Sequence, residues 1–87
     1  MSYYYTYILY SLIDKKFYTG YTSDLRKRYN EHEDGKVRST EHRRPLVLVY
    51  YEACTTEEDA RACERYLKSG MGKRYLRNRL KNFLSNL

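Results

Sequence analysis

A chain of 87 residues supports one domain, 1–87, near the small end of what folds unaided. It holds no apolar run near the roughly 18 residues that a membrane-spanning helix needs, and the opening MSYYYTY lacks the basic-then-apolar order of a signal peptide. The default expectation is therefore a cytoplasmic protein, and a net charge of +6 points to a polyanionic partner.

Tyr3–Ser11 is aromatic and β-branched and predicts a strand. Leu12–Lys16 predicts a hairpin connection, and Phe17–Thr22 a second, short strand. A turn at Leu12–Ile13 would set Tyr7 opposite Tyr18. Gly20, inside the second strand, marks a bulge or the close approach of another group. Thr22 or Ser23 can cap a helix with Asp24 in its first turn. Leu25, Tyr29 and His32 recur there at the spacing of a buried stripe, with Arg28 one turn from His32. Glu33–Arg44 is polar, contains Gly35 and predicts a loop. Leu46–Ala53 is the clearest strand, with Pro45 at its start.

Thr55 and Glu58 have the spacing of a capping box. The helix they open carries Ala60, Cys63 and Leu67 on one stripe, with Glu64 beside it, and ends near Ser69–Gly70. A last helix, Lys73–Leu87, would put Leu76, Leu80, Phe83, Leu84 and Leu87 on one side and its basic residues on the other. The order β-β-α-β-α-α predicts an α+β fold, a three-stranded antiparallel sheet with helices against it.

From Arg61 onward, eight Lys or Arg face a single acid, Glu64. So basic a tail attracts nucleic acid by counterion release. Cys54 and Cys63 form no CxxC pair and the histidines complete no zinc spacing, so both cysteines are expected as small reduced core residues. Twelve tyrosines are more than a binding surface needs; most must pack, and a functional claim has to single out particular ones.

In this order the chain resembles the GIY-YIG nuclease superfamily, and in particular the short stand-alone bacterial members related to the nuclease module of the excinuclease C subunit. The resemblance runs from about Tyr4 to Leu80. The first signature corresponds to Tyr5-Thr6-Tyr7 and then Ile8-Leu9. The second corresponds to Tyr18-Thr19-Gly20, followed by Thr22, Asp24, Leu25, Arg28 and His32. The acidic residue of the later helix falls on Glu64. The chain departs from the pattern at Tyr5, where the first motif has glycine, at the Thr in the middle of each motif, and at Tyr21, where larger relatives often carry lysine.

The resemblance implies a Mg²⁺- or Mn²⁺-dependent endonuclease that hydrolyses phosphodiester bonds in DNA, in repair or processing. It implies Tyr7, Tyr18, Arg28, His32 and Glu64 as catalytic residues, with Glu64 the single protein ligand of one metal. The residue types suit that chemistry. Arg28 is fork-shaped and permanently charged, matched to two phosphate oxygens. Glu64 offers oxygen to a hard cation that keeps most of its water. Tyr7 or His32 can take the proton of the attacking water, and the sequence leaves both open. A phenol with a pKa near about 10 is a poor base at neutral pH and needs nearby positive charge to become a better one.

For binding, Gly20 leaves room for a phosphate at the strand-to-helix junction. Lys36, Arg38, Arg43 and Arg44, with Ser39, Thr40 and His42, can grip the backbone from the loop. Lys73 and Arg74 follow Ser69-Gly70-Met71-Gly72, a turn at a helix N-terminus where backbone N–H groups can hold a phosphate, or a plain helix–helix connection. With no second domain to read bases, low sequence specificity is expected. Two alternatives remain: a nucleic-acid-binding module without turnover, and a small protein-interaction partner that uses the basic helix. Binding alone does not require Glu64.

Overall fold

The structure, a computed structural model, describes residues 2–87. Strand β1 (Tyr4–Ser11) lies between β2 (Phe17–Thr22) and β3 (Leu46–Cys54), and both pairings are antiparallel. Helix α1 (Leu25–Glu33) follows β2. Helices α2 (Glu57–Lys68), α3 (Gly70–Arg79) and α4 (Lys81–Ser85) follow β3. The expected α+β class and three-stranded sheet are what the chain adopts.

The hairpin register differs from the sequence expectation. Tyr7 faces Gly20, and Tyr18 faces Leu9. The connection is longer than a turn at Leu12–Ile13. Ser11 N–H donates to the Lys16 carbonyl, and Ser11 Oγ accepts the Ile13 and Asp14 amides at 3.1 Å. Lys15 completes the turn with a left-handed φ of 60°. The slip is two residues, and an even slip keeps each side chain on its face. Tyr7 and Tyr18 therefore still share one side of the sheet, as diagonal neighbours with ring centroids 6.5 Å apart.

The sheet divides the core in two. On one face Tyr7, Leu9 and Leu46 pack with Tyr18, Leu48 and the Leu25–Tyr29 stripe of α1. On the other, Ile8 packs with Leu67, Leu76, Phe17, Val49, Tyr50, Cys63 and Leu80, under α2 and α3. A bulge in β3 between the partners of Ile8 and Leu9 keeps both faces apolar while the strand twists. Thr6, in the middle of the first motif, is buried and donates its hydroxyl to the Ala60 carbonyl at 2.6 Å, tying α2 to the sheet.

Three helix ends move from their expected places. Asp24, not Thr22 or Ser23, caps α1 by accepting the Lys27 amide, while Thr22 Oγ1 accepts the Asp24 amide. Thr56, not Thr55, caps α2. The last helix begins at Gly70 and breaks at Leu80, whose side chain turns into the Ile8 cluster. Beyond the break, Phe83 packs edge-on against Tyr10, and Leu87 is exposed rather than buried.

Ser69 ends α2 and caps α3, its Oγ accepting the Gly72 amide at 3.1 Å. The helices turn so sharply there that a Cβ on Gly72 would collide with the Tyr66 carbonyl oxygen and lie 2.5 Å from Leu67 Cα. Gly20 is constrained by a side chain instead: a Cβ there would lie 2.4 Å from both Cζ and Oη of Tyr7. The group that approaches this glycine is the Tyr7 ring, so the space does not belong to a phosphate.

Chemical denaturation should separate the glycines. Gly72→Ala should cost at least about 2 kcal/mol, because backbone must retreat. Gly70→Ala, with nothing within 4 Å of the added carbon, should be neutral or gain up to about 1 kcal/mol. Equal effects at the two positions would contradict the close α2–α3 packing.

Candidate functional site

Tyr7 is buried in the central strand, and its ring crosses Gly20 to reach α1. There Tyr7 Oη lies 2.8 Å from His32 Nε2, and His32, fully buried, has Nδ1 2.7 Å from Thr40 Oγ1. The directions of these hydrogen bonds follow from their partners. Thr40 donates its hydroxyl to the Val37 carbonyl at 3.4 Å, so its oxygen accepts from His32 Nδ1 and leaves Nε2 as the acceptor. The Tyr7 hydrogen then goes to His32 Nε2. No buried side-chain polar atom among the described residues is left unpartnered.

Burial dominates the titration of this pair. It pushes the Tyr7 phenol up to about 12; Arg28 pulls it down, and the charges of Tyr18 and Glu64 push it up. Burial and the Arg28 charge lower His32 to about 4. Both groups are therefore neutral at neutral pH, and the resting site contains no phenolate. Arg28 is held in place by Glu31, Nη1 to Oε1 at 3.0 Å, and keeps a partly open guanidinium.

Tyr18 packs edge-on to His32, with centroids 5.2 Å apart. It also lines a cleft of about 300 Å³ with Phe17, Thr19, Glu64, Lys68 and Lys73. Because Tyr18 and Thr19 point to opposite sides of β2, this cleft wraps the free edge of the sheet. Glu64 belongs to α2, which packs on the Ile8 face, and it reaches the site around that edge. Its charge is felt at the Tyr7 phenol. Its nearest ionic partner is Lys68, at 3.3 Å, rather than Arg28.

Tyr7, Tyr18, Arg28 and His32 thus form one cluster, and Glu64 stands at its rim. Among the described residues no three His, Cys, Asp or Glu gather as a metal cage. The donor set fits one kind of cation. A lone half-buried carboxylate in an open polar cleft suits a hard ion that keeps most of its water, and does not suit a standing dehydrated ion. The Lys68 ammonium that pairs with Glu64 is exposed enough to swing aside.

The expected backbone-gripping residues divide. Lys36, Arg38, Lys73 and Arg74 are exposed. Arg43 is not free: its Nε meets Asp14 Oδ2 at 2.6 Å and its Nη2 reaches the Lys16 and Phe17 carbonyls. This contact also holds the Asp14 carboxyl below its usual range. Arg44 is likewise spent on the Glu41 and Glu33 carbonyls, over Gly35. Both are clamps for the loop. The Gly70–Gly72 turn is a helix junction whose Gly72 amide is already taken by Ser69.

Two roles were not read from the sequence, and Thr40, expected to help grip a backbone, is fully buried instead. Thr40 is the buried partner that sets the His32 tautomer, and Glu31 anchors Arg28. Glu31 stands three residues beyond Arg28, a helical pairing distance that was legible. Nothing local marks Thr40, eight positions from His32 across an irregular loop.

Residues 3–76 match the GIY-YIG catalytic domain. The chain belongs to the GIY-YIG family. It is 43% identical over 65 residues to a UPF0213 protein of Streptococcus pyogenes serotype M3, covering 74% of this chain and 70% of that one. It is also 43% identical over 56 residues to the UPF0213 protein YazA of Bacillus subtilis, covering 63% and 57%. The solution NMR structure of a UPF0213 protein from Bacillus halodurans superposes with a TM-score of 0.54 at 36% identity, over 85% of this chain and 81% of that one. Membership in this family implies a nuclease-type function and a nucleic-acid partner.

The site predicts an acid dependence of stability. The folded pKa of His32, about 4, lies below its ordinary 6.5, so the unfolded chain takes the proton first. Stability from this residue is complete above pH 6.5 and is lost as the pH falls towards 4, by up to about 3 kcal/mol. Thermal midpoints of wild type and His32→Gln, measured across that window, should converge as the pH falls. Parallel curves would mean that His32 is not held neutral.

Proposed function

We propose that the protein is a metal-dependent endonuclease that hydrolyses phosphodiester bonds in DNA with low sequence specificity, in repair or processing in the cytoplasm. The observation that carries the reading is the buried Tyr7–His32–Thr40 chain of hydrogen bonds set beneath Arg28. A structural tyrosine needs a partner for its hydroxyl, but not a neutral imidazole held in one tautomer with its free nitrogen towards that hydroxyl.

In this mechanism Arg28 binds the non-bridging oxygens of the scissile phosphate and stabilises the charge that builds up there. Water attacks phosphorus on the Tyr7 side. Its proton passes to the Tyr7 oxygen as the Tyr7 proton passes to His32 Nε2, so the phenol acts as a relay and the imidazole as the base. A bond forms from the water oxygen to phosphorus. The bond from phosphorus to the leaving sugar oxygen breaks, and that oxygen takes a proton from solvent. Arg28 gives the step its timing, because its charge lowers His32 in the free protein and an anionic phosphate cancels that charge. Tyr18 walls the imidazole and opens onto the Glu64 cleft. Glu64 would hold Mg²⁺ or Mn²⁺, which when bound there supplies further charge neutralisation at the phosphate.

The second reading, binding without turnover, draws on exposed cations such as Lys36, Arg38, Lys73 and Arg74 and leaves Glu64 without a role. Supercoiled plasmid with Mg²⁺ or Mn²⁺ separates the two. Wild type should nick it. Tyr7→Phe, Arg28→Ala and Glu64→Gln should each slow nicking by about a hundredfold or more, while Tyr7→Phe still shifts DNA on a gel. Wild type that shifts DNA but leaves plasmid intact with either metal would establish the binding-only reading.

A further inference from the structure

Beyond Glu64 a second cleft of about 580 Å³ continues along the same end of the sheet, lined by Tyr10, Lys15, Lys16, Phe17, Lys73, Arg77 and Leu84. It shares Phe17 and Lys73 with the Tyr18–Glu64 cleft, so the two form one continuous depression. We propose that this second cleft is the track that holds the phosphates of the nucleic-acid strand flanking the scissile one. This assignment rests on the nuclease reading above and adds to it where the polymer runs.

The side chains that make the track come from separate places in the chain. Lys15 and Lys16 stand at the tip of the β1–β2 hairpin, and Lys73 and Arg77, one helical turn apart, are on α3. No acid lines the cleft, and no ion pair among the described residues involves any of the four cations. The nearby acid of the hairpin, Asp14, is already occupied by Arg43.

The hairpin is also shaped for this presentation. Lys15 keeps a left-handed φ of 60°, a conformation that disfavours a lysine. The turn is nevertheless pinned by the Ser11 and Asp14 hydrogen bonds and by Arg43. Four unpaired cations converging on an open groove repel one another and need an anion of matching length. The floor of Tyr10, Phe17 and Leu84 is apolar, and Tyr10 is almost wholly covered. Contact is therefore with backbone phosphate and sugar rather than with stacked bases, which agrees with low sequence specificity.

The test compares two double variants that remove the same charge. Lys15→Gln/Arg77→Gln cuts the track, whereas Arg26→Gln/Arg65→Gln removes exposed cations that line neither cleft. Binding of a fluorescein-labelled DNA duplex is followed by anisotropy across a salt series without metal, and plasmid nicking with Mg²⁺ is followed in parallel. The track variant should bind at least about tenfold more weakly at 0.1 M salt, with a log–log salt slope shallower by about 2. Its nicking rate at saturating DNA should stay within about threefold of wild type, the loss falling on KM. The control pair should change the slope by less than half as much. Equal losses in the two variants, with wild type still nicking, overturn the track and leave the nuclease reading standing. A track effect on binding in a wild type that never nicks keeps the track and overturns hydrolysis. Absence of any DNA binding at low salt overturns both.

Discussion

The hydrogen bond between Tyr7 and His32 spans the sheet and the first helix, and most of the surrounding structure is a condition for it. Tyr7 sits on the central strand, where its backbone is paired on both sides. Its ring can extend towards α1 only because position 20, directly opposite, has no side chain. His32 sits at the buried end of the α1 stripe, and Asp24 fixes where that helix begins and thus which residues face the sheet. Thr40, from the following loop, closes the far side of the ring. Arg43 and Arg44 matter to the site at one remove, because they hold the hairpin and loop from which Lys15 and Thr40 project.

Burial works on both members of this pair in the same direction, towards neutrality, and so holds the proton on Tyr7. With Tyr7 pushed up to about 12 and His32 down to about 4, transfer of the proton is opposed in the free protein. A nuclease with a standing phenolate would pay continuously to keep that charge buried. Here the depressing influence on His32 includes the Arg28 cation, the one group positioned to be neutralised by phosphate. On the proposed mechanism the substrate itself lessens that opposition. Glu64 enters the same balance from across the edge, since its negative charge raises Tyr7, an influence that the proposed cation would reverse.

Much of this was legible in the sequence because periodicity and burial coincide. The Leu25–Tyr29–His32 stripe and the Ala60–Cys63–Leu67 stripe each place residues on a definite face. The motif spacing then joined faces that are distant along the chain. What failed was chemistry that depends on exact turn geometry. The hairpin register slipped by two because Ser11 and Asp14 build a longer turn from their side chains. Lys73–Leu87 reads as one helix because its apolar spacing is continuous, but the chain breaks at Leu80 and Phe83 beyond it packs on Tyr10. Arg43 and Arg44 read as phosphate ligands because charge in a loop gives no sign of being spent on carbonyls. The loop that brings Thr40 to His32 has no period to read.

Gly20 reads in the sequence as room for a phosphate, and the Tyr7 ring in that space clarifies the site. If the space opposite Tyr7 were left for substrate, the phenol would be a wall of the cleft. With the ring occupying it, the hydroxyl is carried across Gly20, over the α1 face of β2, to His32. An exposed edge strand ordinarily invites pairing with another chain. This one is only six residues long and is flanked by Glu64, Lys68 and Lys73 on its α2 side and by Lys15 and Lys16 at its start. Those charges deter a neighbouring strand and leave the edge open to a polyanion. An edge is also where a long polymer can pass without being threaded through a pocket. On the proposed reading, the separate motifs meet at the β2 border of the sheet, where the cations that line both clefts also stand.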